Sequence, residues 1–85
     1  MGLISSKRDE HDKFIDQQIQ KWIKQKLSND GLIQNRLIIY LTGLIHTGHK
    51  NYVKAKIDEI VQRLSNNGFE INQYQEVLNL KKECE

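Results

Sequence analysis

The sequence contains no proline and only five glycines. These are the strongest local chain breakers, and their scarcity favours a few long helices over many short strands. The single cysteine, Cys84, excludes an internal disulfide and fits a reducing compartment such as the cytosol. No segment reaches the roughly 18 consecutive apolar residues of a membrane span. The N-terminus has no apolar stretch long enough for a secretory signal. Charge of one sign is scarce as well. Thirteen Lys and Arg against 11 Asp and Glu leave a formal net charge of +2, a weak footprint for a nucleic-acid binder. Only three arginines, Arg8, Arg36 and Arg63, are available for bidentate base reading. The glycines form no phosphate-cradling pattern, and no cofactor is expected.

Hydrophobic residues make up 38% of the chain and charged residues 28%, the balance of a globular domain and not of a disordered one. Its 85 residues allow one compact core, which buries only about two-thirds of the unfolded surface. Residues 1–6 read as a flexible tail and residues 7–82 as one helical domain. Ser6 and Asp9 fit a capping box, so a first helix is predicted to start near Lys7. Phe14, Ile15, Ile19, Trp22, Ile23 and Leu27 recur at spacings of three and four and share one face. Ser28-Asn29-Asp30-Gly31 ends that helix and can cap the next.

A second helix is predicted from Leu32 to His46. Its apolar residues cover most of the circumference, which places it among other helices. Gly43, costly in a helix interior, suggests a close crossing there. After Thr47-Gly48, a third helix from Lys50 to Ser65 carries Val53, Ile57, Ile60, Val61 and Leu64 in one stripe. Asn66-Asn67-Gly68 supplies a left-handed cap, and Phe69 and Ile71 fall in a short extended link. Asn72 with Gln75 can cap a short last helix that turns Tyr74, Val77 and Leu78 to the core. Residues Lys81 to Glu85 are expected to fray. The fold class is therefore all-α, a small antiparallel bundle of four helices with the last one short.

Few residues suggest chemistry. His46 and His49 could pair on a metal, but Gly48 interrupts them and no third ligand lies nearby in sequence. Cys84 sits between Glu83 and Glu85, which would raise its thiol pKa. Asp58-Glu59 reads as a solvated acidic pair, and Asp9, Glu10 and Asp12 suit the positive end of the first helix. No catalytic residue and no metal site is assigned, and an enzyme is not expected. The richer surface is the start of the third helix. There His49, Lys50, Asn51, Lys54 and Lys56 follow a Gly-containing turn, as in helix-turn-helix DNA readers. Asp58 and Glu59 at once oppose phosphate. These residues, with Tyr74, form the candidate interaction surface, and Trp22 and the tyrosines are candidate anchors.

Met1-Gly2-Leu3-Ile4-Ser5-Ser6 matches an N-myristoylation pattern, making Gly2 a candidate lipidation site with Lys7 and Arg8 adding positive charge. One acyl chain binds a membrane only marginally. Helix one, with Trp22, Phe14 and isoleucines opposite lysines, is also amphipathic enough for peripheral membrane contact, though in a bundle such a face is usually core.

The stretch Leu32-Ile33-Gln34-Asn35-Arg36-Leu37-Ile38-Ile39-Tyr40-Leu41 is similar to the apolar, Tyr-containing central helices of the immunity proteins that protect producers of pediocin-like bacteriocins. Ile60 through Leu64, Asn66-Asn67-Gly68 and Phe69-Glu70-Ile71-Asn72 resemble their late helix, Gly turn and final helix. The resemblance spans residues 32–80. It implies a basic cytosolic four-helix bundle that blocks a bacteriocin, together with its receptor, at the inner side of the membrane. It also implies target reading through the C-terminal part, although this chain is shorter than typical members and lacks a long tail there. Three functions are thus expected in turn: a partner-binding bundle with an immunity role, a myristoylated membrane-recruited adaptor, and a helix-turn-helix-like nucleic-acid regulator.

Overall fold

The computed structural model describes residues 7–25 and 31–85, with side-chain environments from Glu10 onward. Gly2, the tail at residues 1–6, the Ser6 cap, Leu27 and the Ser28-Asn29-Asp30 cluster lie outside the described residues. Within them the chain forms helices α1 (Lys7–Lys24), α2 (Leu32–His46), α3 (Lys50–Asn66) and α4 (Gln75–Glu83), with a 3-10 turn at Ile71–Gln73 before α4. The described residues contain no strand. This is a small all-α bundle with a short last helix, the class read from the sequence.

The periodic apolar residues account for the core. Ile15, Ile19 and Trp22 enter it from α1, and Ile33, Leu37, Leu41 and Leu44 from α2. Val53, Ile57, Ile60 and Leu64 come from α3, and Val77 and Leu80 from α4. Each pair is three or four positions apart, one helical face. Burying each such side chain stabilises the fold by about 1.5–3 kcal/mol before chain entropy is counted. Gln18 is the polar side chain carried into this interior among the described residues.

Two glycines make the reversals between helices. At the end of α2, Gly48 takes φ +90°. Its N–H donates to the Ile45 carbonyl at 3.2 Å, and the His49 N–H donates to the Leu44 carbonyl at 2.9 Å. Gly68 repeats the pattern after α3 with φ +86°, where the Phe69 N–H donates to the Leu64 carbonyl at 3.0 Å. These are Schellman caps, in which a left-handed residue without a Cβ lets the last carbonyls find donors. The residue after each glycine is thereby set at a fixed place. Phe69 goes into the core, where its ring meets that of Trp22 edge-on at 6.1 Å. His49 goes to the mouth of a groove.

Several expectations need correction. Gly43 marks no close crossing among the described residues: it is exposed, and a Cβ there would meet none of their atoms within 4 Å. α2 is not buried all round, since Leu32 and Ile39 face outward. Trp22 and Tyr74 are buried and cannot anchor a surface contact. Tyr74 therefore leaves the candidate interaction surface, because its ring joins the core at the start of α4. The final helix is not capped by Asn72 and Gln75. Instead the Glu70 N–H donates to the Gln73 side chain at 2.8 Å, which starts the 3-10 turn, and α4 begins at Gln75. The C-terminal residues expected to fray are helical and packed in the structure, since α4 runs to Glu83 and Cys84 joins the core. Asp58 and Glu59 are not merely solvated: Asp58 pairs with Lys81 at 2.5 Å and Glu59 with Lys56 at 3.0 Å.

Candidate functional site

The early turns of α1, the end of α2 and the start of α3 converge on a groove. Three aromatic or imidazole side chains from three helices meet there. His11 of α1 has its ring 5.7 Å from Tyr40 of α2 and 5.9 Å from Tyr52 of α3. The His49 ring lies edge-on to His11 at 5.8 Å. Phe14 supports the Tyr40 ring from one turn further along α1, at 4.2 Å between centroids.

Hydrogen bonds tie both imidazoles to the fold. The Tyr40 hydroxyl lies 2.6 Å from His11 Nδ1. Burial, and then the negative charge of Glu10, push the Tyr40 phenol above its ordinary pKa. Thr47 Oγ1 lies 3.1 Å from the Gly43 and Leu44 carbonyls and from His49 Nδ1. The hydroxyl proton belongs to the carbonyls at the helix end. That leaves an Oγ1 lone pair for a hydrogen bond with His49 Nδ1. Each imidazole thus has its Nδ1 engaged within the fold, His11 with Tyr40 and His49 with Thr47.

Asp12 holds the other wall together. Its carboxylate accepts from the Tyr52 hydroxyl and pairs with Lys56 Nζ at 2.9 Å, while Lys56 also reaches Glu59 at 3.0 Å. Burial alone would lower the Lys56 pKa, but the hydrogen bonds and charges of Asp12 and Glu59 outweigh it and hold the ammonium above its ordinary value. These contacts join the start of α1 to the first turns of α3.

Two recesses result, and they share His11 and His49. One, of about 580 Å³, is bounded by Asp12, Asn51, Tyr52, Ala55, Lys56 and Glu59. The other, of about 530 Å³, is more apolar and runs along α2 past Ile39, Tyr40, Gly43, Leu44 and Thr47. Both lie within the size range of small-ligand sites, about 300–1,000 Å³, but both are open to solvent.

The sequence-derived surface is only partly assembled here. His49 and Asn51 line the first recess, and Lys56 lies on its wall. Lys56, however, is committed to two carboxylates, so the expected basic patch shrinks to the exposed Lys50 and Lys54. Arg63 pairs with Asp16 at 2.5 Å. His46 is exposed on α2, and the described residues contain no group of three or more His, Cys, Asp and Glu side chains able to hold a metal. Burial raises the Cys84 thiol pKa; Lys50 pulls it down and Glu83 adds to the rise. Sequence reasoning passed over His11 and Asp12 as site residues and named Tyr40 and Tyr52 only as candidate anchors, without placing them together. Asp12 had a sufficient local explanation in the helix dipole, and the tyrosines lie 29 and 40 positions from the α1 groups they bond.

No described helix is long and apolar enough to cross a membrane. Comparison with family models, with curated proteins and with solved structures finds no match to this chain.

Proposed function

We propose that the protein is a non-enzymatic binding module that takes a peptide segment of a partner protein into the groove centred on His11 and His49. One observation carries this reading: two recesses, walled by Tyr40 and Tyr52, share the imidazoles of His11 and His49, whose Nδ1 atoms are each engaged within the fold. A peptide amide offers both an acceptor and a donor to such rings, and aromatic walls supply apolar contact at little entropic cost. The polar groups around the groove support binding over catalysis. Asp12, Lys56 and Glu59 satisfy one another, and the Thr47 hydroxyl closes a helix end, so none of these four is poised as a base or nucleophile. With Lys56 withdrawn, the start of α3 offers little to a phosphate backbone, which makes nucleic-acid recognition the weaker reading.

The most specific form of this function is bacteriocin immunity at the inner face of a membrane, as the resemblance of residues 32–80 implies. In this form the target is read through the groove and not through the C-terminal part. The test is expression of the full chain in bacteria sensitive to a panel of pediocin-like peptides. Protection against a cognate peptide is expected, with Tyr52→Ala losing it while its circular dichroism stays helical. No protection across the panel would overturn the immunity role. Protection left intact by Tyr52→Ala would overturn the groove.

A further inference from the structure

The outward ridge of α2 has a composition that solvent alone does not explain. Leu32, Asn35, Arg36, Ile39, Gly43 and His46 recur at helical spacing and are all exposed. Ile39 is 63% exposed and Leu32 49%. α2 contains no Asp, Glu or Lys, whereas a solvated helix face is ordinarily charged. A single exposed isoleucine would mean little. Here it stands one turn from a glycine that costs about 1 kcal/mol of helix propensity relative to alanine. The described residues make no use of that glycine, because none of their atoms approaches where its Cβ would be and its φ is not positive.

We infer that this ridge is the contact face for a second copy of the chain. Knob and hole lie on one helix, about 6 Å apart along its axis. A twofold axis crossing α2 at the level of Leu41 makes two antiparallel copies self-complementary. Ile39 of each then lies over Gly43 of the other, in the apolar recess beside Tyr40 and Leu44. The same operation sets Asn35 opposite Thr47 and Arg36 opposite the imidazole of His46. No carboxylate or lysine is buried at the centre, as an isologous contact requires. The bare Gly43 backbone allows the close approach. A single helix crossing covers less than the roughly 1,200 Å² of a stable complex, so the association is weak and concentration-dependent. The apolar recess is one of the two that make up the docking groove, so self-association would compete with a peptide there, whereas the recess walled by Tyr52 stays outside the contact.

Sedimentation equilibrium of the full chain up to about 1 mM tests it. Wild type should shift reversibly from monomer toward dimer as concentration rises. Ile39→Asp and Gly43→Leu should each weaken association by roughly tenfold or more, while thermal melts show both variants folded. Tyr52→Ala, on the docking groove, should associate as wild type does. The inference is overturned if wild type stays monomeric throughout, or if both ridge variants associate as wild type. A monomeric wild type that binds anionic vesicles through Ile39 would also overturn it and make the ridge a lipid-facing surface.

Discussion

Neutralising Asp12 probes the contact that joins α1 to α3 beneath the groove. Its carboxylate serves both Tyr52 and Lys56. Asp12→Asn keeps an oxygen for the Tyr52 hydroxyl but removes the charge that faces the ammonium. Lys56→Met removes the ammonium and keeps the stem. An exposed ion pair contributes about 0.2–1 kcal/mol, whereas a hydrogen bond to a charged group contributes about 1.5–3 kcal/mol. The Asp12 side chain is 41% exposed and that of Lys56 17%, between those limits. Glu59 remains beside Lys56 in the single variant, so no ammonium is stranded. The expected coupling energy is therefore about 1 kcal/mol, measured by a double-mutant cycle in urea. For a domain of this size that corresponds to roughly 4–8 °C in melting temperature. Near 1 M salt the Debye length is only about 3 Å, and the coupling should fall substantially. A coupling below about 0.3 kcal/mol, within the additivity of distant sites, would refute the role given to Asp12.

Further outcomes follow from the same geometry. Cys84 has its folded pKa raised above 9.0, chiefly by burial. The unfolded thiol therefore loses its proton first, and this group's contribution is complete below pH 9 and lost as pH rises through the folded value. Urea midpoints should decline just above pH 9 in wild type and decline less in Cys84→Ala, and native Cys84 should resist thiol reagents until the chain unfolds. Gly48→Ala, at φ +90°, should destabilise by about 1–2 kcal/mol. Gly43→Ala should raise monomer stability by up to about 1 kcal/mol in dilute thermal melts. Equal effects of the two alanines would contradict the distinction between a cap glycine and an outward helical one.

The helices were readable from periodicity because a 3.6-residue repeat directly reports which face is buried. Ile15, Ile19 and Trp22, or Ile57, Ile60 and Leu64, needed no partner to be recognised. The Gly48 and Gly68 reversals were readable for a similar reason, since left-handed backbone selects glycine locally. Failures came where the signal was not local. Apolarity around α2 could not reveal that Ile39 looks outward while Leu41 looks inward, because hydropathy does not distinguish them. The packing of Cys84 depends on a core built mostly by other helices, so charged neighbours suggested fraying. The groove was the least readable part. His11 acquires its role only when α2 brings Tyr40 to it and the Gly48 turn brings His49, and three separate helices must be placed before those residues form a site.

The claim that a partner protein is held in the groove is tested most directly by position-specific photocrosslinking in the native host. A photoreactive phenylalanine analogue would replace Asn51, exposed on the groove wall, or Glu76, exposed on α4. The account predicts a discrete protein adduct from position 51, reduced by Tyr52→Ala, and none from position 76. An adduct from position 76 with none from position 51 would contradict it and place recognition on the C-terminal helix.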